Sequence, residues 1–356
     1  MEILQSYDIS SKGFLPEIPI PLLTHNQEWE SFVEKLPLHN RNGNTREEFV
    51  KLPKFDLDLL KTDKEYKRAY VILSMVANAY IFCTTPLDVL PEKVAVPLWR
   101  VSEKLGISPV LTHATVDLWN WHCTDGDFCV DNLKARSSMT GTKDEEWFYM
   151  IMVAIEGHCG TILKFLVQLT YDRNDLVSKL EKIRDILKKI CEVVQRMSEH
   201  CNPDFFYNKL RPYLSGSKGN DALPNGLIYE GISEKPQQFY GGSAAESTLF
   251  QVLDIVFGIA HASNYFIEIR KYMPEKHRSF LNFIMKLNLD QLVRDDPEAE
   301  IILHECVATL KRFRQLHYNL VTMYILKQMP NNQNKAKGTG GTELQNFLKE
   351  IIRETK

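Results

Sequence analysis

The stretch "NDLVSKLEKIRDILKKICEVVQRMSEHC", residues 174–201, has the pattern of a long amphipathic helix. Its apolar residues recur at steps of three and four and form one stripe, which consists of Leu176, Leu180, Ile183, Ile186, Leu187, Ile190, Val193, Val194 and Met197. Charged residues cover the opposite face. A spacing close to the period of the α-helix predicts that this segment is helical and packs its stripe against a core.

The stretch before it is apolar on all sides and reads "EEWFYMIMVAIEGHCGTILKFLVQLTY", residues 145–171. Such a composition predicts a helix that is buried inside the protein. Helical spacing also predicts helices at 67–82, at 91–106 with Gly106 as the C-cap, and at 298–327. Convincing runs of alternating apolar and polar residues are absent from the sequence. We therefore predict an all-α fold.

The organisation of the chain follows from its length and from two polar stretches. With 356 residues it is long for one core, which predicts two packed domains, or one large domain with a smaller lobe. The polar stretch 122–146 separates them. We predict a small helical N-terminal domain over 1–136, a connecting segment at 137–146 and a large helical domain over 147–356. The polar run "QMPNNQNKAK" cannot build a core and predicts a mobile loop at 328–342.

Composition and charge are those of an ordinary globular protein, with 44% hydrophobic and 25% charged residues. The net charge of −3 and the lack of a long Lys or Arg run disfavour a nucleic-acid partner. No signal peptide is apparent, and no segment approaches the roughly 20 apolar residues of a membrane helix. The seven cysteines form no Cys-x-x-Cys pair. We predict a cytoplasmic protein with reduced thiols, no zinc site and no membrane contact.

Two stretches of very small residues stand out among the predicted helices. The first, "GGSAA" at 241–245, precedes an apolar helix that begins within 239–259. The second is "GTGGT" at 338–342. Neither is a phosphate-binding motif, because no Gly-Lys-Ser/Thr follows and no Gly-x-Gly-x-x-Gly succeeds a strand. The sequence thus predicts two loops of bare backbone in a helical protein.

A histidine, His317, lies on the apolar stripe of the predicted C-terminal helix. The other members of the stripe are Cys306, Leu310, Phe313, Leu320 or Val321, and Tyr324. One explanation is a core histidine whose ring is satisfied internally. The other is an iron ligand, and a single histidine suits haem better than zinc because the porphyrin supplies four nitrogens. Arg314, one turn earlier, could reach a carboxylate of a cofactor or form a surface contact or an internal ion pair with Asp254.

Several long blocks of the sequence resemble the indoleamine 2,3-dioxygenase family. They are "RAYVILSMVANAYIF" (68–82), "NPDFFYNKLRPYLSG" (202–216), "GGSAAESTLFQVLDIVFGI" (241–259), "RKYMPEKHRSFL" (270–281), "RFRQLHYNLVTMYI" (312–325) and "KGTGGTELQNFLK" (337–349). They occur in family order across nearly the whole chain. The resemblance implies a monomeric enzyme of two helical domains with haem b in the large one. It also implies insertion of O₂ across the indole C2–C3 bond of L-tryptophan to give N-formyl-L-kynurenine, in the kynurenine pathway.

The resemblance assigns roles to individual residues. It makes His317 the proximal iron ligand, with Arg314 and its partner Asp254 supporting the haem edge. It implies that Arg211 binds the substrate carboxylate. It also implies that the "GTGGT" loop closes over the substrate as a lid, from which Thr339 hydrogen-bonds to the amino acid. The residues expected against the cofactor are Gly242, Ser243 and Ala244, bare so that backbone can approach flat rings. The residues expected around the indole are Phe148, Phe206, Tyr207, His113, Gly241 and Gly340.

Two positions depart from the family pattern. Met152 stands where familiar members have serine, and methionine cannot donate a hydrogen bond. His113 stands where the pocket more often has tyrosine. These departures leave room for a different indole substrate, for a myoglobin-like oxygen-binding protein of the same fold, or for a scaffold without a cofactor. Arg211 and the "GTGGT" loop favour an enzyme, because an oxygen store needs neither a carboxylate clamp nor a lid.

Overall fold

Helices form most of the protein in the computed structural model, which describes residues 2–124, 126–329 and 337–356. The α-helices of the N-terminal part are α1 (Glu2–Ser6), α2 (Gln27–Glu34), α3 (Leu36–Asn42), α4 (Thr45–Val50), α5 (Asp63–Phe82) and α6 (Glu92–Leu105). Those that follow are α7 (Lys143–His158), α8 (Gly160–Leu169), α9 (Leu176–Gln195), α10 (Met197–His200), α11 (Pro203–Phe205), α12 (Thr248–Val256), α13 (Tyr265–Ile269), α14 (Glu275–Ile284), α15 (Leu289–Val293), α16 (Pro297–Tyr324) and α17 (Leu344–Glu354). The predicted all-α fold is confirmed.

The strands are short and form two small sheets. They are β1 (Val89–Leu90), β2 (Trp121–Cys123), β3 (Leu133–Ala135), β4 (Leu227–Tyr229) and β5 (Ser233–Gln237). Strand β4 pairs in parallel with β1 and antiparallel with β5, while β2 and β3 form an antiparallel pair. With two to five residues each, they are too short to leave an alternating pattern in the sequence.

The amphipathic stripe that opened the sequence analysis faces the longest helix. In α9 the buried residues include Leu180, Ile183, Leu187 and Ile190, and α9 packs along α16. Cys306 of α16 donates its S–H to the carbonyl oxygen of Leu180 at 3.5 Å. The pair therefore meets through the stripe that the sequence predicts, and it holds the middle of α16 in place.

The all-apolar stretch forms two helices instead of one, with a break at Cys159 between α7 and α8. The backbone at Ser11 packs directly against Gly160 at this break. It lies so close that a Cβ on Gly160 would be 2.0 Å from the Ser11 carbonyl oxygen. By length and composition Lys143–Leu169 could cross a membrane, so the expectation that no segment approaches this limit is wrong. Its most apolar window is 67% buried inside the protein, as the prediction of a core helix requires.

The two halves of the chain are joined by hydrogen bonds. Asn78 of α5 donates its side-chain amide to the carbonyl oxygens of Tyr213 and Ser215 at 2.9 and 3.0 Å, and β1 pairs with β4. The division into domains at 137–146 stays a prediction. Of the predicted mobile loop 328–342, residues 330–336 lie outside the described part of the chain.

Candidate active site

A cavity with about 1230 Å³ of empty space, part of it open to solvent, lies between the segment 113–117 and residues from Phe148 onward. Most of its walls are apolar. The sequence-predicted residues that line it are His113, Phe148, Met152, Phe206, Arg211, Gly242, Ser243, Ala244, His317, Thr339 and Gly340. Apolar walls with a few polar side chains are typical of a cavity that binds a small ligand.

Two of the cavity's walls are single-turn π-helices, Ala114–Leu118 and Phe206–Leu210. The first follows His113, and the second leads into the turn that begins with Arg211. A π-turn rotates the side chains that follow it relative to an α-helix, and such turns are frequent at functional sites. Neither turn could be distinguished from an ordinary helix in the sequence.

His317 projects from α16 into the cavity. Its ring remains partly accessible there. Burial lowers the pKa of His317 to about 4, so the imidazole is neutral at pH 7. Among the residues that the structure describes, none forms a hydrogen bond or ion pair with this ring. A satisfied core histidine would have such a partner, whereas a neutral, unpartnered imidazole that faces a cavity suits a metal ligand.

A buried ion-pair network lies beside the turn of α16 that carries His317. Arg314 forms an ion pair with Asp254 of α12, as predicted. His261 Nε2 lies 2.9 Å from Asp254 Oδ2, and His261 Nδ1 lies 2.6 Å from Glu354 Oε2. Burial opposes the charge on His261, but the carboxylates outweigh it and raise its pKa. Neither Arg314 nor Asp254 lines the cavity. The network therefore fixes the α16 turn, and contact with a haem edge stays a prediction.

The first loop of small residues forms one wall through Gly242, Ser243 and Ala244. Gly241 does not line the cavity, because it packs against another segment of backbone. A Cβ on Gly241 would lie 2.1 Å from the carbonyl oxygen of Leu214, which no side chain permits. The expected place of Gly241 in the substrate pocket is thus not observed. Gly241 has no side chain because two segments of backbone cross there, whereas the next three residues line the cavity.

The second loop of small residues, 338–342, closes on the first. The Thr339 hydroxyl donates to the Gly242 carbonyl oxygen at 2.7 Å, and the Gly241 amide donates to the Thr339 carbonyl oxygen at 3.0 Å. A Cβ on Gly340 would lie 2.2 Å from the Tyr265 hydroxyl oxygen. Tyr265 also lines the cavity and was missed in the sequence. The loop 338–342 therefore packs on the wall at 242–243, and a side chain at Gly340 would have to displace Tyr265.

Arg211 lies where the cavity meets a second, more polar pocket, and it lines both. One of its terminal nitrogens donates to the Lys337 carbonyl oxygen at 2.6 Å. Its Nε is buried without a hydrogen-bond partner among the described residues. Tyr207 lines only the polar pocket, and the guanidinium carbon of Arg211 lies 5.5 Å from the centre of its ring. Arg211 therefore has a free donor for an anion, and Tyr207 supports it from outside the cavity.

Aromatic and apolar side chains form the wall beside Arg211. The ring centres of Phe148 and Phe206 lie 4.7 Å apart, and those of Phe206 and Tyr324 lie 5.7 Å apart. Met152, one turn after Phe148 on α7, adds a thioether without a donor. Such a wall can hold a flat apolar ring between its aromatic members.

A cluster of buried charged residues, which the sequence analysis missed, surrounds His113. Its Nδ1 lies 2.6 Å from Asp117 Oδ2, its Nε2 lies 3.1 Å from Glu156 Oε1, and its amide donates to Glu246 Oε2 at 2.6 Å. Burial opposes the charge on His113, but Asp117 and Glu156 outweigh it and raise the pKa to about 10. Burial raises the pKa of Glu246 well above its usual value. The four-residue spacing of His113 and Asp117 was the available signal.

Haem fits the residues that line this cavity. No group of three or more His, Cys, Asp or Glu side chains able to hold a metal ion occurs among the described residues. A metal held by His317 would therefore need most of its ligands from elsewhere, which a porphyrin provides. The small residues at 242–244 leave one wall of the cavity free of bulky side chains, as close approach to a flat macrocycle requires.

The chain is similar to proteins of one family along its whole length. A sequence model of that family, described as "Indoleamine 2,3-dioxygenase", matches residues 3–356. 6-Hydroxytryptophan 2,3-dioxygenase from Fusarium equiseti is 34% identical over 99% of this chain and 96% of the relative. Indoleamine 2,3-dioxygenase 1 from Rattus norvegicus is 33% identical over 99% and 95%, respectively. Indoleamine 2,3-dioxygenase from Saccharomyces cerevisiae is 32% identical over 100% and 93%.

Proposed function

The chain belongs to the indoleamine 2,3-dioxygenase family, a family of oxidoreductases, and we propose that it is a haem-dependent dioxygenase acting on L-tryptophan. The proposed reaction inserts both atoms of O₂ across the indole C2–C3 bond and gives N-formyl-L-kynurenine. The observation that carries the proposal is the neutral imidazole of His317, which faces the cavity that Arg211 also lines and has no hydrogen-bond partner among the described residues. We expect a cytoplasmic monomer with the two-domain division given above.

His317 would hold the haem iron, and the small residues 242–244 would lie against the macrocycle. When bound, haem supplies the activation of O₂ that no side chain can provide. The network of Arg314, Asp254 and His261 would keep the α16 turn, and with it the imidazole, in a fixed orientation.

The remaining residues of the cavity would orient the substrate and exclude water. The Arg211 guanidinium would bind the α-carboxylate of the amino acid through charge-assisted hydrogen bonds. Phe148 and Phe206 would hold the indole ring. Closure of the lid would place Thr339 over the amino-acid end and keep bulk water out.

A dioxygenase for a different indole is the second candidate function. The relative from Fusarium equiseti is named for 6-hydroxytryptophan, and Met152, His113 and Asp117 give this cavity its own polarity. An oxygen-binding protein without turnover is disfavoured, because Arg211 and the lid would have no use in it.

Aerobic turnover of the haem-loaded, reduced protein with L-tryptophan tests the proposed function. We expect N-formyl-L-kynurenine to form, measured by its absorbance and by mass spectrometry with ¹⁸O₂, with both labelled atoms in the product. A ferrous-oxy spectrum that persists unchanged with every indole amino acid would contradict the proposal and indicate an oxygen binder.

Replacement of Thr339 by valine should loosen the lid. The change keeps the side-chain shape but removes the hydrogen bond to Gly242, which is worth about 1 kcal/mol. We expect KM for L-tryptophan to rise about 3- to 10-fold and the Gly241 amide to exchange its hydrogen faster. The matched control is Thr322→Val, because the Thr322 hydroxyl donates to the Tyr318 carbonyl oxygen within its own helix and not to the loop 338–342. Equal effects of the two variants would show that the lid contact is immaterial.

A further inference from the structure

One carboxylate oxygen in the cavity wall has no partner. Asp117 lies in the π-turn Ala114–Leu118 and lines the cavity, and its side chain is 5% exposed. Oδ2 is held by His113 Nδ1 at 2.6 Å. Oδ1 is buried and accepts no hydrogen bond from any residue that the structure describes. A polar atom in this state costs free energy, so the site is incomplete without a donor.

Neither His113 nor the apolar residues beside Asp117 in the cavity wall supply that donor. His113 is fixed between Asp117 and Glu156, with its second nitrogen 3.1 Å from Glu156 Oε1. Both ring nitrogens are therefore occupied. Met152 and Val116, which also line the cavity, have no donor to offer. Because Asp117 lines the cavity, a molecule that enters the cavity can supply this donor.

The position of Asp117 relative to Arg211 indicates which part of a substrate would reach it. Arg211 lies at the junction with the polar pocket and contacts the lid, so it marks the mouth of the cavity. Asp117 lies in the interior, in a turn that is buried throughout and contacts α5 and α7. An indole amino acid held at Arg211 by its carboxylate extends its ring inward. The part of the ring farthest from the amino-acid group is the benzo edge.

Tryptophan presents only C–H groups at that edge, because its one ring donor, N–H, belongs to the five-membered ring. A hydroxyl group on the benzo ring would supply an O–H donor, and O–H bonds to carboxylates are among the stronger hydrogen bonds in proteins. We propose that Asp117 is a specificity-determining residue that accepts a hydrogen bond from a benzo-ring hydroxyl, so that this site prefers hydroxytryptophans to tryptophan. This inference rests on the proposed function and refines its substrate class.

Binding to the ferric, haem-loaded protein tests the inference without turnover. Dissociation constants would be measured from the shift of the Soret band for L-tryptophan, for its 4-, 5-, 6- and 7-hydroxy derivatives and for the matching methoxy derivatives. We expect at least one hydroxytryptophan to bind on the order of 10- to 100-fold more tightly than tryptophan. Its methoxy partner should lose this gain, because methylation removes the donor. This comparison uses the unmodified protein, so it does not depend on the folding of a variant.

Two variants assign the effect to Asp117. Asp117→Val removes the acceptor and should reverse the preference, so that tryptophan binds more tightly than the hydroxy derivative. Asp117→Asn keeps the volume and should reduce the preference. Equal affinities for tryptophan and all four hydroxytryptophans in the unmodified protein, or a preference that Asp117→Val leaves unchanged, would overturn the inference while the dioxygenase proposal stands. Failure of every indole amino acid to shift the Soret band or to turn over would overturn the proposed function itself.

Discussion

Replacement of His317 by alanine is expected to abolish dioxygenase activity through loss of bound haem. The imidazole is neutral and faces the cavity. In the part of the chain that the structure describes, it has no hydrogen-bond partner, and no cluster of other ligands could replace it. We expect the purified variant to lack the Soret band after expression with haem precursor and to retain the far-UV circular dichroism of the unmodified protein. Turnover of L-tryptophan should fall at least 1,000-fold, roughly 4 kcal/mol or more.

The matched control lies on the same helix. His304 is exposed on α16, so His304→Ala should keep both haem and activity. A second variant, His317→Gly, leaves space for free imidazole, and addition of imidazole should restore the Soret band. If His317→Ala retains full haem content and activity, or if imidazole has no effect while the protein stays folded, His317 is not the iron ligand.

The sequence predicted the helices well and their interruptions poorly. Helical spacing depends on local residues, so α9, α16 and the C-cap at Gly106 could be predicted directly. The break at Cys159 has a tertiary cause, since the N-terminal chain at Ser11 packs against Gly160. A contact between residues so distant in sequence leaves no local pattern. The same applies to the pairing of β1 with β4.

The site shows a similar division. His317 could be identified as a candidate from the apolar stripe alone, because a polar residue in such a stripe requires an explanation. Arg211 had no local signal and came only from the family resemblance. The family resemblance assigned Gly241 to the pocket together with its neighbours, and only the structure distinguishes a glycine that faces a cavity from one that meets the Leu214 backbone. Asp117 was missed because the polarity of a buried cluster depends on residues from three separate segments.

Replacement of Arg211 by alanine is expected to remove the recognition of the substrate carboxylate. Two charge-assisted hydrogen bonds of about 1.5–3 kcal/mol each would be lost, so kcat/KM for L-tryptophan should fall on the order of 100- to 10,000-fold. Arg211→Lys keeps the charge but loses the planar fork, and it should recover only part of the loss. Haem content should be unchanged, because Arg211 lies outside the helix that carries His317.

Tryptamine separates this role of Arg211 from its role in the lid. Arg211 also donates to the Lys337 carbonyl oxygen, so its removal could act by releasing the lid alone. Tryptamine has the indole and the amine of tryptophan but no carboxylate. If Arg211 binds the carboxylate, the unmodified enzyme should favour tryptophan strongly over tryptamine, and Arg211→Ala should bring the two substrates within a few-fold of each other. If Arg211 only fastens the lid, the substitution should lower kcat/KM for both substrates by the same factor, and the carboxylate assignment would be wrong.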